Sequence, residues 1–419
     1  MANTVKRSSL VTWLIDPIEP TQAANPDHRY TADMRSWIAP LLIGAALLVA
    51  SLVGWSLDAP QFYFSYLVGW VFCLSLAIGA LFFVIIQHLS HAYWSVVLRR
   101  ISESLAWAFP VLALLGIPIL FGMHDLYHWT HEELLDPNSP AYNAVLAGKT
   151  PYLNVPFFIG RMIAYFMLWT YLSHRLYTLS VRQDVDPDRD IPALQRRASG
   201  WGLPVMAVTT AFASYDLLMS LEPDWFSTIF GVYFFGGSFL SIFVFTTIIA
   251  LNLQKGDMIR HAVTFEHYQD LGKFAFGFIV FWGYIAFSQY MLIWYGNLPE
   301  ETIFFRIRME NGWEAFSWAL LIGQFIVPFF VLLSRGAKRT RPVMYFIALW
   351  ILAAHWLDLF WISMPVLHVN HAQLHWLDFT CVLGLLGIMV GLFMFRLSRH
   401  SLVPERDPQL AKSMKFVNS

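Results

Sequence analysis

Apolar residues gather in long runs closed by short polar stretches, and ten runs reach the roughly 20 residues a bilayer-spanning helix needs. They cover about residues 37–57, 63–88, 103–123, 155–179, 201–221, 228–253, 273–297, 314–334, 343–366 and 377–397. The pattern predicts an all-α polytopic membrane protein with ten transmembrane helices. No connection is long enough for a separate folded domain. The longest, 124–154, carries a Pro137-Asn138-Ser139-Pro140 turn and can cover one membrane face.

Helices 5 and 9 share a pattern. Asp216-Leu217 precedes Pro223 as Asp358-Leu359 precedes Pro365, and Ile159-Gly160-Arg161 in helix 4 matches Ile322-Gly323-Gln324 in helix 8. A shift of four helices preserves orientation, so the repeat would be parallel. It predicts two four-helix bundles, helices 2–5 (about 63–221) and helices 6–9 (about 228–366), flanked by helices 1 and 10. Chance similarity between apolar helices is the alternative. Residues 1–36 and 398–419 form terminal segments around a membrane domain of 37–397.

Composition agrees with the pattern. The 419 residues are 57% hydrophobic and only 13% charged, about half the charge of a soluble domain, so lipid must serve as part of the solvent. The net charge of −1 gives no reason to expect a nucleic-acid partner. Position matters more than sum. With the termini and even-numbered connections on one side, that side collects every Lys and Arg except Lys149, Arg161, Arg306 and Arg308. By the positive-inside rule both termini are cytoplasmic. The N-terminus lacks the apolar core of a signal peptide. Cys73 and Cys381 lie in apolar runs outside any CxxC, which argues against thiolate-held zinc or iron–sulfur clusters and against a disulfide.

Ionisable groups inside a membrane are costly and mark function. Gln87, His88, His91 and His174 fall near the cytoplasmic end. Arg161 and Tyr165 (helix 4), Tyr215 and Asp216 (helix 5), Tyr284, Gln289 and Tyr290 (helix 7), Gln324 (helix 8), and His355 and Asp358 (helix 9) fall in the middle and outer half. Spacings of three or four place His88 with His91, His355 with Asp358, and Arg161 with Tyr165 on shared faces. Arg161 and Asp216 should lie at one depth and pair. His355 would lie about 18 Å into helix 9, near mid-membrane, with Gln289 and Tyr290 at comparable depth. Graded carboxylate, imidazole and phenol groups are what proton transfer needs, while buried hydrogen bonds that only hold helices together are the plainer reading.

Two outer histidine groups, His124, Asp125, His128 and His131 after helix 3 and His368, His371 and His375 between helices 9 and 10, fit three readings. These are an interfacial belt beside Trp129 and Trp376, a quinol pocket at His124, Asp125 and His128, or a metal site. A haem b would need facing axial histidines, for which His88 and His174 are the only approach. Outside these outer histidines no metal ligand set is expected, and no nucleotide motif occurs in a usable context.

The stretch Ser288-Gln289-Tyr290-Met291-Leu292-Ile293-Trp294-Tyr295-Gly296-Asn297-Leu298-Pro299-Glu300-Glu301-Thr302 resembles a signature of the ActF subunit of bacterial alternative complex III, as do Ser214 to Pro223 and His355 to Pro365. The resemblance runs from about residue 30 to 400. It implies membership of the NrfD and polysulfide-reductase type of membrane subunit, with two four-helix bundles and no haem. It also implies a quinol:cytochrome c oxidoreductase in the bacterial inner membrane. The partners would be an ActC-like membrane subunit, an iron–sulfur protein and a multihaem cytochrome c, so iron–sulfur clusters and haem c sit on those subunits. The resemblance places quinol (menaquinol included) mainly on the ActC-like subunit, and proton half-channels on ActF-like chains. Quinol binding by this chain, a secondary transporter and a purely structural anchor remain the alternatives.

Overall fold

The computed structural model describes residues 25–185 and 190–418. Residues 1–24 of the expected N-terminal segment, and Ser419 of the tail, lie outside them. The described residues are helical, with no strand among them, and ten helices are long and apolar enough to cross a membrane. They are α1 (Arg35–Leu57), α2 (Ala59–Leu89), α3 (Val96–Phe121), α4 (Val155–Val185), α5 (Ile191–Leu221), α6 (Phe230–Lys255), α7 (Phe265–Gly296), α8 (Trp313–Leu333), α9 (Arg341–Leu367) and α10 (Trp376–Leu397). The chain is a multi-pass membrane protein of ten helices.

Capping sets several starts that hydropathy misses. Asp58 accepts from Gln61 N at 3.1 Å and Pro60 lies in the first turn, so α2 begins four residues before its apolar run. Thr264 and His267 form a capping box that starts α7 eight residues early. The first part of α3, Val96–Ala106, is wholly buried although it carries Arg99, Arg100 and Glu103. Its charges satisfy one another and their neighbours: Arg99 meets Glu103 at 3.1 Å and Asp407 at 2.6 Å, and Arg100 meets Glu103 at 3.2 Å and Asp184 at 2.9 Å. Pro110 and Pro118 then divide α3 into three pieces, since each lacks the N–H that would continue the ladder.

Packing closes two rings of four. Helix α2 touches α3 and α5, and α4 touches both α3 and α5. Likewise α6 touches α7 and α9, and α8 touches both α7 and α9. The bundles join through α2 and α6, which are apolar all round and buried along almost their whole length. Their backbones meet at Gly79, where a Cβ would lie 2.1 Å from Ser238 O. Helices α1 and α10 form a flanking pair on α2, in contact through Gly44 and the Gly387–Gly391 step, a small-residue seam that lets two helices approach closely in lipid.

Both described termini lie at one end of the molecule, where Trp37 and Phe395 pack 5.1 Å apart. At this terminal end residues 398–418 fold back across both bundles, through Glu405 N to Asp184 (3.0 Å), Ser413 Oγ to Trp94 O (3.0 Å) and Lys273 Nζ to Asn418 (2.6 Å). At the far end the 124–154 connection is short helical pieces that bury Tyr127, Trp129 and Leu146.

Candidate functional site

Besides Glu103 in the charged stretch of α3, Asp216, Asp358 and Asp378 are carboxylates buried among the helices, and their partners differ. In bundle one Asp216 is fully buried and takes a two-pronged contact from Arg161, Nη2 to Oδ1 at 2.7 Å and Nε to Oδ2 at 2.9 Å. Tyr165 donates to Oδ2 at 3.0 Å. Arg161 also donates to Tyr152 O at 2.9 Å, and its guanidinium lies over the Tyr152 and Phe157 rings at 3.9 and 4.2 Å. The expected pair is therefore formed, and the cation neutralises the carboxylate. Tyr215, beside Asp216 in sequence, points elsewhere and donates to Thr228 O at 2.7 Å.

In bundle two Asp358 has only neutral partners among the described residues. Tyr233 of α6 donates to Oδ1 in a short hydrogen bond, and Trp282 Nε1 of α7 donates to Oδ2 at 3.2 Å. One turn away, His355 turns from Asp358 toward bundle one. Its Nε2 lies 2.9 Å from Ser75 Oγ of α2. Ser75 donates its own proton to Phe72 O at 2.7 Å, so Nε2 carries the ring proton and Nδ1 is left as an acceptor. The ring fits because α6 has Gly237 there: a Cβ would lie 3.0 Å from His355 Nδ1, and 3.9 Å from Asp358 Oδ2. His355 and Asp358 thus flank one notch in α6 without bonding to each other.

Gln289 and Tyr290 do not join this centre. Gln289 accepts from Ser227 Oγ at 3.2 Å, and Tyr290 packs edge-on to Phe305 at 5.1 Å. The residue of α7 that reaches Asp358 is Trp282, two turns earlier, because the helix runs on past the depth that hydropathy assigned to its start. Tyr284 is 65% exposed on the helix surface. Gln324, the counterpart of Arg161 in the repeat, is fully buried in a π-helical turn, Leu321–Ile326, and neither amide atom meets a described protein partner.

A third carboxylate, Asp378 at the start of α10, is one that sequence reasoning missed. It accepts from Ser65 at 2.5 Å, from Gln61 at 3.1 Å and from His375 N at 2.7 Å. His368 lies 2.7 Å from Gln61 Oε1, Gln373 lies 3.1 Å from His368, and His371 lies 3.2 Å from Gln373. The outer histidine group is thus one end of a hydrogen-bonded string that begins on the far surface and ends at a buried carboxylate. Burial, with His371 next in effect, holds His368 below the usual histidine range. An acid three residues after a histidine at a helix start is a capping signal, which hid the rest of its role.

The other expected groups separate. His88 lines a small cavity of about 110 Å³ with Arg99, Gln195 and Asp407, and His91 lines it too, but not from the same helix face. Helix α2 ends at Leu89 and His91 sits in a turn with φ of 50°. His174 does not line that cavity, and its Nδ1 lies 3.1 Å from Thr178 Oγ1. His124, Asp125 and His128 are exposed. His131 stacks on His124 at 4.1 Å and bonds its carbonyl at 2.8 Å, so these side chains turn to one another and not into a pocket. Among the described residues no three His, Cys, Asp or Glu side chains converge as metal ligands. Arg308, assigned to an outer loop, is fully buried. It donates to Trp361 O at 3.1 Å, the carbonyl that Pro365 cannot bond, and to Ile362 O and Glu222 at 2.6 Å.

These features define a multi-pass helical protein in which the described interior carboxylates Glu103 and Asp216 are ion-paired, while Asp358 and Asp378 are held by neutral donors. Comparison with known family models gives no match, and no curated protein is significantly similar.

Proposed function

We propose that the chain is an ActF-like integral subunit of a quinol-oxidising respiratory complex in a bacterial inner membrane. It carries no redox centre of its own. It anchors an ActC-like membrane subunit, an iron–sulfur protein and a multihaem cytochrome c, and it offers protons a path through bundle two. The resemblance of the helix 5, 7 and 9 motifs supports the family. The observation that carries the proton role is Asp358, buried between α6, α7 and α9 with a phenol and an indole as its only hydrogen-bonding partners among the described residues. A carboxylate clamped by a guanidinium keeps its charge, whereas one held by neutral donors is free to exchange a proton. Tyr233 can relay that proton by turning its hydroxyl, and His355 offers the next acceptor toward α2. The terminal end, which collects the basic residues, is the cytoplasmic side in this reading.

The test is Asp358→Asn in the whole complex reconstituted in vesicles. The substitution keeps shape and removes ionisation. The expected result is normal assembly and a lowered ratio of protons moved to electrons transferred. An unchanged ratio in a fully assembled complex would rule the path out.

A further inference from the structure

We propose that the far end of bundle one holds a site for the phosphate of an anionic membrane phospholipid, centred on Lys149. Lys149, Arg161, Arg306 and Arg308 are the basic residues that break the charge asymmetry of the chain. Arg161 and Arg308 are buried and ion-paired, with Asp216 and Glu222. Lys149 ends a short helix, Ala144–Lys149, which Asn143 caps through Val145 N and Leu146 N. Leu153 N donates to Lys149 O at 2.8 Å, so the turn that follows fixes its backbone. Its Nζ donates to Pro223 O, just past the end of α5, and lies 5.6 Å from the centre of the Phe226 ring. Two of its three N–H donors are left over. No described carboxylate forms a salt bridge with it. Asp224, which acts on it from farther off, is exposed and takes a hydrogen bond from Asn143 at 3.0 Å. Burial, against Asp224, holds the ammonium below the usual lysine range. A half-buried cation short of counter-charge is relieved by an anion.

A cavity of about 230 Å³ opens beside it, between the short helix and the end of α5. Tyr152, Tyr215, Met219, Trp225 and Phe226 line it with Lys149, and among the described residues no carboxylate does. Trp225 is 2% exposed and held flat against Phe304 at 3.9 Å, and its indole N–H meets no described acceptor. Donors set among aromatic rings suit a phosphate joined to an apolar body. A free phosphate would need polar groups on every side, and the ammonium of a zwitterionic head would find no carboxylate here. The aromatic wall continues into the bilayer. Phe157 of α4 and Phe212 of α5 are exposed and pack on Tyr152 at 5.8 and 6.4 Å, and Phe212 packs on Tyr215 at 5.8 Å. Exposed apolar side chains on membrane-spanning helices face acyl chains, so a lipid lying on the α4–α5 seam brings its head beside Lys149. Lysine, tyrosine and tryptophan at a helix end are the side chains that sit at headgroup level. The inference rests on neither the proton path nor membership of a redox complex.

The full-length protein in nonionic detergent would be titrated with phosphatidylglycerol, with phosphatidylethanolamine and with inorganic phosphate, and bound lipid counted by native mass spectrometry. The expected result is one phosphatidylglycerol held several times more tightly than phosphatidylethanolamine and not displaced by phosphate. Lys149→Gln should weaken it by about tenfold through loss of one charge-assisted hydrogen bond. Lys149→Arg should retain it, and Arg306→Gln, at an exposed cation outside the cavity, should leave it unchanged. Thermal unfolding of each lipid-free variant is checked against the parent. Full binding by a folded Lys149→Gln protein, or an equal loss in Arg306→Gln, would reduce the contact to annular lipid or general surface charge and overturn the proposal. Equal affinity for the two lipids, or displacement by inorganic phosphate, would overturn it as well.

Discussion

Asp216 and Asp358 occupy matching places in the two bundles, yet one faces a guanidinium and the other a phenol and an indole. The difference decides what each can do. Removing either member of the Arg161–Asp216 pair leaves a buried charge without its partner, so Arg161→Ala and Asp216→Ala should each cost about 3–5 kcal/mol. The double substitution should cost clearly less than the sum, because neither charge is then stranded. Thermal unfolding of the three proteins in detergent measures both quantities, and additive losses would mean that the pair is not energetically coupled. The pair was legible in the sequence because two charges in neighbouring apolar helices, at one depth, have few other solutions. Tyr233 and Trp282 were not, since aromatic side chains make up 17% of the chain and a functional one carries no mark.

At the scale of elements, hydropathy finds the middle of each helix and misses its ends. Apolar runs end where lipid ends, but α4 and α7 continue as helices because their polar ends meet the tail, at Asp184 and at Glu266 and Lys273. The buried charges of α3 look like a loop until Asp184 and Asp407, distant in sequence, arrive beside them. Close helix contacts give a sharper test. At Gly79 even an alanine methyl would collide with the carbonyl of Ser238, whereas a Cβ at Gly160 of α4 meets nothing within 4 Å. Gly79→Ala should therefore destabilise the α2–α6 contact by about 1–3 kcal/mol. Gly160→Ala should be neutral or stabilising by a few tenths up to about 1 kcal/mol. Thermal melts of the two variants, compared with the parent, separate these outcomes, and equal melts would deny the close approach.

Across the whole molecule, the tail from Ser398 onward ties the bundles together at the terminal end. His400 sits in it, 4% exposed, with its ring 6.0 Å from Tyr177. Burial, followed by Arg100, Arg396 and Arg399, pushes its pKa down to about 3. An unfolded histidine titrates near about 6.5. Between those values the unfolded tail takes up a proton that the docked tail refuses, so docking is strongest above about pH 6.5 and weakens as pH falls toward 3. Limited proteolysis at the tail should thus quicken between pH 7 and pH 5, and His400→Gln should flatten that change. The same acceleration in His400→Gln would assign the effect to other groups.

The sequence by itself determined the class, the number of helices and one ion pair. Those follow from local length, apolarity and the cost of a lone charge in lipid, which any arrangement of the helices must obey. Only the tertiary structure decided that α2 and α6 are the buried core pair, that His355 bonds α2 and not Asp358, and that Asp378 ends a string of outer polar groups. It alone set Lys149 beside a cavity at the end of α5. Each of these depends on how far one helix is rotated and shifted against another, and in a chain whose helices are apolar nearly all round no periodicity records that rotation.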